Sequence, residues 1–378
     1  MDLLSLRNEI DGIDEELLPL LLKRLEVSKQ VAQYKIENSV PVLNQERENE
    51  ILDWVVKNSG EYAQTVKTVF ISAMDASRAL QHRLIGGGSE LRESVENALR
   101  CKKLSSDGKL IACQGVDGAY SAQAARKLFP DCEIDFHRHF EDVFEAVNTG
   151  RALYGIIPVE NSTAGSVHES YDLIMKYRFY IVGAYDLRIS HCIAAKENVS
   201  FDEVEEVYSH PQALRQCGNF ITNFGLTGVN SNNTAIAAKY VSESEKNNIA
   251  CICSESAAKK YNLKILKKDI QNVTKNTTRF IVISKKLVID NSADKISLIF
   301  SAPHKTGSLY RVLGRFSMSG LNLTKLESRP VANGKFDYLF YADVEGNVYD
   351  EETLDLLCAL HDELEEFKFL GNYKEIKQ

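Results

Sequence analysis

Residues 271–284, QNVTKNTTRFIVIS, join a polar run to an apolar, β-branched stretch that begins after Arg279. The pattern predicts a turn that leads into a strand, with Thr278 and Arg279 at the start of that strand. Asn276-Thr277-Thr278 also fits the glycosylation sequence N-x-T. From these residues alone, the stretch is a sugar site, a turn before a strand, or part of an active site.

Polar side chains follow predicted strands at three further places in the middle of the chain. Tyr120 and Ser121 come after a glycine-containing turn, IACQGVDGAYS, and Ser209 and His210 stand at a strand end in YSHPQAL, which also contains Gln212. The third place is ENST, which follows the apolar strand GIIPV and consists of Glu160, Asn161, Ser162 and Thr163. Open α/β sheets bind ligands at the carboxyl ends of their strands. Each cluster taken singly is equally well explained as a capped turn.

Cations, a carboxylate and an amide recur at helical spacing near the start of the chain. Arg24 and Lys35 are eleven residues apart, about three helical turns, and therefore project from nearly one face of a helix. Arg47 and Glu48 begin the next predicted helix, and a third carries Ser77 and Gln81 at i and i+4. Such groups suit an anionic ligand that is held between helices.

Arg7 is too far from Arg24 to bind the same small ligand within one chain. The two residues are seventeen positions apart, or about 25 Å along a straight helix. If both bind one ligand, Arg7 comes from a second subunit.

The elements that carry these residues predict a multidomain protein. Apolar residues at three- and four-residue steps predict an all-helical domain over residues 1–88, and GGGSE begins a polar linker over 89–107. Residues 108–285 alternate short β-rich runs with helical segments, which indicates an α/β domain of two lobes. Its predicted break lies near residues 186–191, with a return near Thr277. Residues 294–374 read as βαββαβ, a ferredoxin-like order.

Composition narrows the class of protein. The 378 residues carry a net charge of -8, which argues against a nucleic-acid or membrane-surface protein. No apolar run approaches ~20 residues, so we expect no membrane span and, without a signal-peptide layout, a cytoplasmic protein. The eight cysteines are scattered, and the pair Cys251 and Cys253 is interpreted as buried strand thiols because no further ligand pair follows at metal-binding spacing.

The helical segment resembles the all-helical chorismate mutase domain, in LRNEIDGIDEELL, Arg24, Lys35, QERE and SRALQ. The resemblance implies an intertwined dimer that rearranges chorismate to prephenate without covalent chemistry. It assigns Arg7, Arg24 and Arg47 to the two carboxylates of chorismate, Lys35 and Gln81 to its ether oxygen, and Glu48 to its hydroxyl. Asn44 and Ser77 are further expected contacts, although many members of the family have aspartate at the position of Asn44.

The middle segment resembles prephenate dehydratase. The similar motifs are Gly115–Ser121, Pro158–Ser162, Ser209–Leu214 and Thr278–Phe280, and Val116 stands where proline is usual. The resemblance implies a cleft between two lobes in which prephenate loses its ring hydroxyl and ring carboxylate. We expect Thr278 to donate a hydrogen bond to the leaving oxygen and Arg279 to anchor a carboxylate. The other expected substrate contacts are Tyr120, Ser121, Glu160, Asn161, Ser162, Thr163, Ser209, His210, Gln212 and Phe280.

The C-terminal segment resembles the amino-acid-sensing ACT domain of the same enzymes, in HKTGSLYRVLGRF and NLTKLESRP. This implies that phenylalanine binds between paired units and lowers activity at the catalytic cleft. The residues expected to contact phenylalanine are Gly307, Ser308, Leu309, Asn322, Glu327, Ser328 and Arg329.

Together the three resemblances, in this order along the chain, predict a bifunctional chorismate mutase/prephenate dehydratase of phenylalanine synthesis. They imply no cofactor and no metal, chorismate and prephenate as substrates, and a homodimer or higher homo-oligomer. Two alternatives stay open from the sequence. One is a non-catalytic small-molecule sensor with dimerisation modules, and the other is a dehydratase whose mutase is weakened by Asn44 and by Pro19 within the first helix.

Overall fold

The computed structural model describes residues 2–86, 89–102, 104–106, 108–330 and 338–377. These residues form two compact units. One unit combines residues 1–97 with residues 295–369, and the other combines residues 98–294 with residues 370–378. The helical segment and the C-terminal segment, which the sequence predicts as separate domains, therefore belong to the same unit.

The first unit begins with long helices. They are α1 (Leu3–Asn38), α2 (Gln45–Asn58), α3 (Ala63–Ile85) and α4 (Ser89–Glu96), with a 3-10 turn at Gly60–Tyr62. Asp2 caps α1 and Asn44 caps α2, because each side chain accepts a backbone N–H of the first turn. Part of the predicted linker is therefore helical, because α4 lies within residues 89–107. In α4, Leu91 and Val95 are buried at i and i+4, while residues 87, 88, 103 and 107 lie outside the described residues.

The second unit contains two α/β lobes, each built on its own sheet. Its elements up to the second crossing between the lobes are β1 (Leu99–Cys101), β2 (Ile111–Gln114), α5 (Tyr120–Leu128), β3 (Ile134–His137), α6 (Phe140–Asn148), β4 (Tyr154–Asn161), β5 (Gly165–Ser166), α7 (His168–Tyr177), β6 (Tyr180–Arg188), β7 (Cys192–Ala195), β8 (Glu206–Ser209), α8 (Pro211–Gln216), α9 (Gly218–Asn223), β9 (Thr227–Asn230), α10 (Thr234–Glu243), β10 (Ile249–Cys253), α11 (Glu255–Lys260) and β11 (Lys264–Lys267). After that crossing come β12 (Thr277–Ser284) and β13 (Val288–Asp290).

The remaining elements have the order βαββαβ, as predicted. They are β14 (Lys295–Ser301), α12 (Ser308–Met318), β15 (Leu323–Pro330), β16 (Tyr338–Glu345), α13 (Glu351–Glu363) and β17 (Phe367–Tyr373). Their sheet has the order β15-β16-β14-β17. A last strand, β18 (Glu375–Lys377), pairs in parallel with β6 of the second unit.

Strand order separates the two lobes of the second unit. The first lobe has the sheet β18-β6-β12-β4-β2-β3, with β5 beside β4, and the second lobe has β11-β7-β10-β8-β9. The chain passes to the second lobe between β6 and β7 and returns between β11 and β12, close to the predicted positions. Strand β10 is fully buried and contains Cys251 and Cys253, as expected for structural thiols.

The two connections along which the chain crosses between the lobes are hydrogen-bonded to each other at His191. Its backbone N–H donates to Gln271 Oε1 at 2.9 Å, and its carbonyl accepts from the Ile270 N–H at 3.1 Å. The imidazole is 2% exposed, and its Nε2 lies 3.0 Å from Gln216 Oε1. Burial lowers the pKa of His191 below its ordinary value, and the hydrogen bond with Gln216 offsets only part of this effect.

Acidification should therefore destabilise the second unit through His191. Below about pH 6.5 the unfolded chain takes up a proton that the folded chain resists, so the free energy of unfolding falls as pH falls, by at most ~1.4 kcal/mol per pH unit. Urea unfolding at pH 7.5 and 5.5 should show a smaller loss of stability in His191→Asn than in the unsubstituted protein. Equal losses in both proteins would contradict this assignment.

Candidate active sites

A cavity of about 430 Å³ lies between the two lobes of the second unit. Its polar lining contains Gln114, Tyr120, Ser121, Asn161, His191, His210, Gln212, Gln216, Asn232, Asn233, Thr234 and Thr278. Phe140, Pro158, Val167, Ile189 and Phe280 are among its apolar residues. Seven of the residues expected to contact prephenate line this cavity: Tyr120, Ser121, Asn161, His210, Gln212, Thr278 and Phe280.

Antiparallel pairing of β12 with β4 brings Thr278 opposite Asn161. The Asn161 Oδ1 accepts hydrogen bonds from the backbone N–H groups of Thr163, at 3.1 Å, and Ala164, at 3.0 Å. Because backbone N–H groups can only donate, these bonds assign the oxygen and nitrogen of the Asn161 amide. Its Nδ2 donates to Thr278 Oγ1 at 2.8 Å. The Thr278 hydroxyl is therefore an acceptor toward Asn161, and its own proton is left for another partner.

His210 caps the short helix α8 beside this cavity. Its Nδ1 accepts the Gln212 backbone N–H at 3.2 Å, so the proton of the neutral ring resides on Nε2. Burial, together with the charge of Arg215, lowers the pKa of His210. The neutral imidazole is thus a hydrogen-bond donor without a full positive charge.

Two helices begin at the cavity wall. The N-terminal residues of α5, Ala119 to Ser121, line it from the first lobe, and those of α10, Asn233 and Thr234, line it from the second. Helix N-termini attract anions through unpaired N–H groups and the helix dipole. Among the lining residues that the structure describes, none is lysine or arginine.

Arg279 does not line this cavity, contrary to the role expected for it. Successive side chains of a strand point to opposite faces, so Arg279 lies on the other side of β12 from Thr278 and Phe280. There it pairs with Asp186, at 3.0 Å from Nε, and with Glu375, at 2.8 Å from Nη2. Through these ion pairs, the Arg279 guanidinium links its own strand to other strands of the same sheet.

Four other expected substrate contacts also lie outside the lining. Glu160 is opposite Arg279, with 3.6 Å between Oε2 and Nη1. Ser209 is fully buried and donates to the Ile252 carbonyl at 2.6 Å. Ser162 Oγ accepts the Thr277 N–H at 2.9 Å, and Thr163 Oγ1 donates to Asn161 Oδ1 at 2.7 Å. In each case the side chain is engaged by other groups of the protein.

Sequence reasoning missed several lining residues, notably His191, Gln216, Asn233 and Thr234. Asn233 and Thr234 had a readable signal, since SNNT follows the strand TGVN just as ENST follows GIIPV. His191 and Gln216 had none, because they meet only where the lobes cross.

The first unit brings five of the expected mutase residues together on α1, α2 and α3. Arg24 Nη1 donates to Ser77 Oγ and to the Ala73 carbonyl, and Lys35 Nζ donates to Gln81 Oε1 at 2.9 Å. Glu48, Ser77 and Gln81 are buried. Burial lowers the pKa values of Arg24 and Lys35, and in both cases the charge of Glu48 partly opposes this effect.

Three expected chorismate contacts are on the surface. Arg47 is exposed and pairs with Glu50 at 2.7 Å. Asn44 is exposed and accepts the Arg47 N–H at 3.0 Å as the cap of α2, a function that asparagine and aspartate share. Arg7 is exposed near the start of α1, which continues unbroken through Pro19 as far as Asn38.

The expected phenylalanine contacts lie at two places in the C-terminal segment. Gly307 has φ of 81° and precedes α12, which begins with Ser308 and Leu309. Asn322 donates to Glu345 at 2.8 Å just before β15, and Glu327, Ser328 and Arg329 lie on β15, an edge strand of its sheet. Leu309 also lines a surface cavity of about 410 Å³ with His304 and Phe340.

Both catalytic segments match known families. A model of chorismate mutase type II matches residues 6–82, and a model of prephenate dehydratase matches residues 111–287. A bifunctional chorismate mutase/prephenate dehydratase of Aquifex aeolicus is 32% identical over 381 residues, which cover 98% of each chain. Arogenate dehydratase/prephenate dehydratase 2 of Arabidopsis thaliana is 38% identical, over 75% of this chain and 76% of the relative.

Two solved structures resemble about 70% of the chain. Prephenate dehydratase from Arthrobacter aurescens, in complex with L-Phe, is 26% identical with a TM-score of 0.64 and covers 70% of this chain and 89% of its own. The quorum-quenching acylase GqqA is 30% identical with a TM-score of 0.65, over 71% of this chain and 98% of its own. None of the described helices is long and apolar enough to cross a membrane.

The full-length match to enzymes overturns the alternative of a non-catalytic sensor. The Aquifex aeolicus enzyme matches 98% of this chain, so the match extends over the helical domain, the two lobes and the C-terminal segment in the same order. The chain belongs to the family of bifunctional chorismate mutase/prephenate dehydratases and is an enzyme with both activities.

Proposed function

We propose that the cavity between the two lobes is the dehydratase site and that Thr278 donates a hydrogen bond to the departing ring hydroxyl of prephenate. The hydrogen bond from Asn161 Nδ2 to Thr278 Oγ1 supports this proposal. It makes the threonine oxygen an acceptor on the side of Asn161 and directs the hydroxyl proton elsewhere. An alcohol is a poor proton source near neutral pH, so its role is donation to the leaving oxygen.

The carboxylates of prephenate bind in this proposal without a cationic side chain. The N-termini of α5 and α10 supply backbone N–H groups, and neutral His210 supplies a further donor from Nε2. Weak, neutral donors suit this reaction because one carboxylate leaves as CO₂. A strong ion pair to that carboxylate would stabilise the ground state and raise the barrier.

Asn161→Asp tests the direction of the central hydrogen bond. The new carboxylate still accepts the backbone N–H groups of Thr163 and Ala164, but it also accepts the Thr278 proton. We expect kcat for prephenate dehydration to fall by at least ~100-fold, because the donor to the leaving oxygen is lost.

Thr278 variants provide the matched control for this experiment. Thr278→Ser keeps the hydroxyl and should retain most of kcat, whereas Thr278→Val should lose as much as Asn161→Asp. Wild-type kcat in Asn161→Asp, or equal losses in the serine and valine variants, would refute the proposed role.

For the mutase reaction, we propose that Arg24, Lys35, Glu48, Ser77 and Gln81 hold chorismate. Because Gln81 Oε1 accepts from Lys35, the Gln81 amide N–H groups stay available to the ether oxygen, together with a proton of Lys35. A pericyclic rearrangement needs no nucleophile, so positioning and donors aimed at the breaking C–O bond supply the catalysis.

We further propose that this site is completed by Arg7 of a second copy of the chain. Two features of α1 support this proposal. The helix is continuous, which keeps Arg7 and Arg24 about 25 Å apart. Its exposed surface is also apolar over much of its length, as expected of a dimer interface, at Leu3, Leu4, Leu6, Ile10, Ile13, Leu17, Leu18, Leu20, Leu21 and Leu22.

Mixing two inactive variants tests the shared site. Arg7→Ala and Arg24→Ala should each lose mutase activity, but refolding them together should restore about a quarter of the wild-type rate. Half of the dimers are then mixed, and each mixed dimer has one intact site. Dehydratase activity serves as the control for protein recovered. Mutase activity that stays at the level of the single variants after mixing would contradict the shared site.

We also propose that phenylalanine binds the C-terminal segment and inhibits the enzyme, with Gly307 at its carboxylate. Support comes from the βαββαβ order and from the solved prephenate dehydratase that contains L-Phe. The left-handed backbone of Gly307 also directly precedes α12, where the Ser308 N–H donates to the Lys305 carbonyl at 3.1 Å and the next N–H groups of the first turn have no acceptor within the helix.

Gly307→Ala should raise the inhibition constant for phenylalanine at least about fivefold, because alanine strains this backbone by ~1–2 kcal/mol. Dehydratase activity without phenylalanine should stay within about twofold. Gly320→Ala is the matched control, since Gly320 also has positive φ, at 68°, and no atom within 4 Å of its added Cβ, but lies at the other end of α12. An enzyme indifferent to phenylalanine, or equal effects of both alanines, would refute the proposal.

A further inference from the structure

Charged side chains from α2, α3, α12 and α13 form one cluster within the first unit, which we call the α3–α12 charge cluster. Its members are Glu48, Asp75, Arg78, Arg311, Arg315 and Glu363. Although burial opposes ionisation of Glu363, its hydrogen bond with His82 and the charges of Arg315 and Arg78 lower its pKa to about 2. The charges of Glu363, Glu48 and Asp75 likewise outweigh burial and raise the pKa of Arg78.

Glu48 is held in this cluster by one cation on each carboxylate oxygen. Arg78 Nε lies 3.2 Å from Oε1, and Arg311 Nη2 lies 3.2 Å from Oε2. The carboxylate cannot rotate without losing one of these ion pairs. Arg78 belongs to α3 of the mutase segment, whereas Arg311 belongs to α12 of the C-terminal segment.

Arg311 also balances charge at this position. Its Nη2 lies 3.3 Å from Asp75 Oδ1, so it bridges two carboxylates whose residues are 8% and 4% exposed. Of the two carboxylates, Glu48 is the one whose charge acts on Arg24 and Lys35. The cation from the C-terminal segment offsets part of that charge, in a place where Coulomb interactions are strong because water is excluded.

We propose that Arg311 is a positioning residue of the mutase site, which orients Glu48 toward the hydroxyl of chorismate. The proposal rests on the role of Glu48 in the proposed mutase site. It makes the mutase reaction depend on the C-terminal segment, although Arg311 is 263 residues from Glu48 in sequence.

Arg311→Met in the full-length protein should lower mutase kcat/KM by roughly ten- to hundredfold, because a misoriented contact costs that much. Arg311→Lys, which keeps the charge without the planar fork, should recover part of the loss. Dehydratase activity should stay within about twofold in both variants. The lysine variant keeps the test decisive if the methionine variant folds poorly.

A double-mutant cycle with Glu48→Gln separates positioning from a merely structural effect. If Arg311 acts through Glu48, adding Arg311→Met to Glu48→Gln should change mutase kcat/KM by less than about twofold. An undiminished loss in the Glu48→Gln background would overturn the proposal.

Arg92→Met is the matched control for the contact between the two segments. Arg92 on α4 pairs with Asp355 on α13, and its side chain is 26% exposed, against 27% for Arg311. It should leave mutase kcat/KM within about twofold. A loss as large as that of Arg311→Met, or full mutase activity in Arg311→Met, would overturn the proposal.

The same experiments distinguish this proposal from the assignment of the mutase site. If Glu48→Gln and Lys35→Met both leave mutase activity unchanged, the proposed site is wrong and the role of Arg311 fails with it. If those two variants are impaired and Arg311→Met is not, only the role of Arg311 is wrong.

Discussion

The register of β12 against β4 is the constraint on which the dehydratase half of the structure depends. It places Thr278 opposite Asn161, and the turn after β4 supplies two backbone N–H groups that orient the Asn161 amide. A slip of one residue would turn Thr278 away from the cavity and bring Arg279 into it. On the other face, Arg279 is paired across the sheet to carboxylates on both neighbouring strands, which opposes such a slip.

The two proposed sites carry different donors, and the chemistry proposed for each explains the difference. Among the helices, Arg24 and Lys35 carry full charges, which suits chorismate because its carboxylates would stay intact through the rearrangement. Between the lobes the donors are amides, hydroxyls and imidazoles, which suits prephenate because one of its carboxylates would leave as CO₂. Arg311 would add a cation from the C-terminal segment to the charged groups of the proposed mutase site. The helix that carries it begins at Ser308, directly after Gly307, so an effector bound at Gly307 would lie about one turn from Arg311.

Local patterns in the sequence predicted the three helices of the mutase segment, the two-lobed α/β organisation and the βαββαβ order. Helical spacing also predicted that Arg24 and Lys35 share a face of one helix and that Ser77 and Gln81 share a face of another. That these faces meet near Glu48 was implied by the resemblance to the chorismate mutase domain. The role expected of Arg279 rested on the chemistry of its guanidinium and on the resemblance, although strand alternation already places its side chain on the opposite face from Thr278. The contact of Arg311 with Glu48 had no local signal, since residues so far apart meet only through tertiary packing. The spacing of Leu91 and Val95 is consistent with the helix α4, but the polar residues around them favoured the prediction of a linker.

A crystal structure of the Thr278→Val variant with prephenate would show where the substrate binds. We expect prephenate in the cavity between the lobes, with its ring hydroxyl beside residue 278 and its carboxylates at the N-termini of α5 and α10. Arg279 should remain paired with Asp186 and Glu375. A ligand carboxylate bound to the Arg279 guanidinium would contradict the proposed roles of Thr278 and of the two helix N-termini.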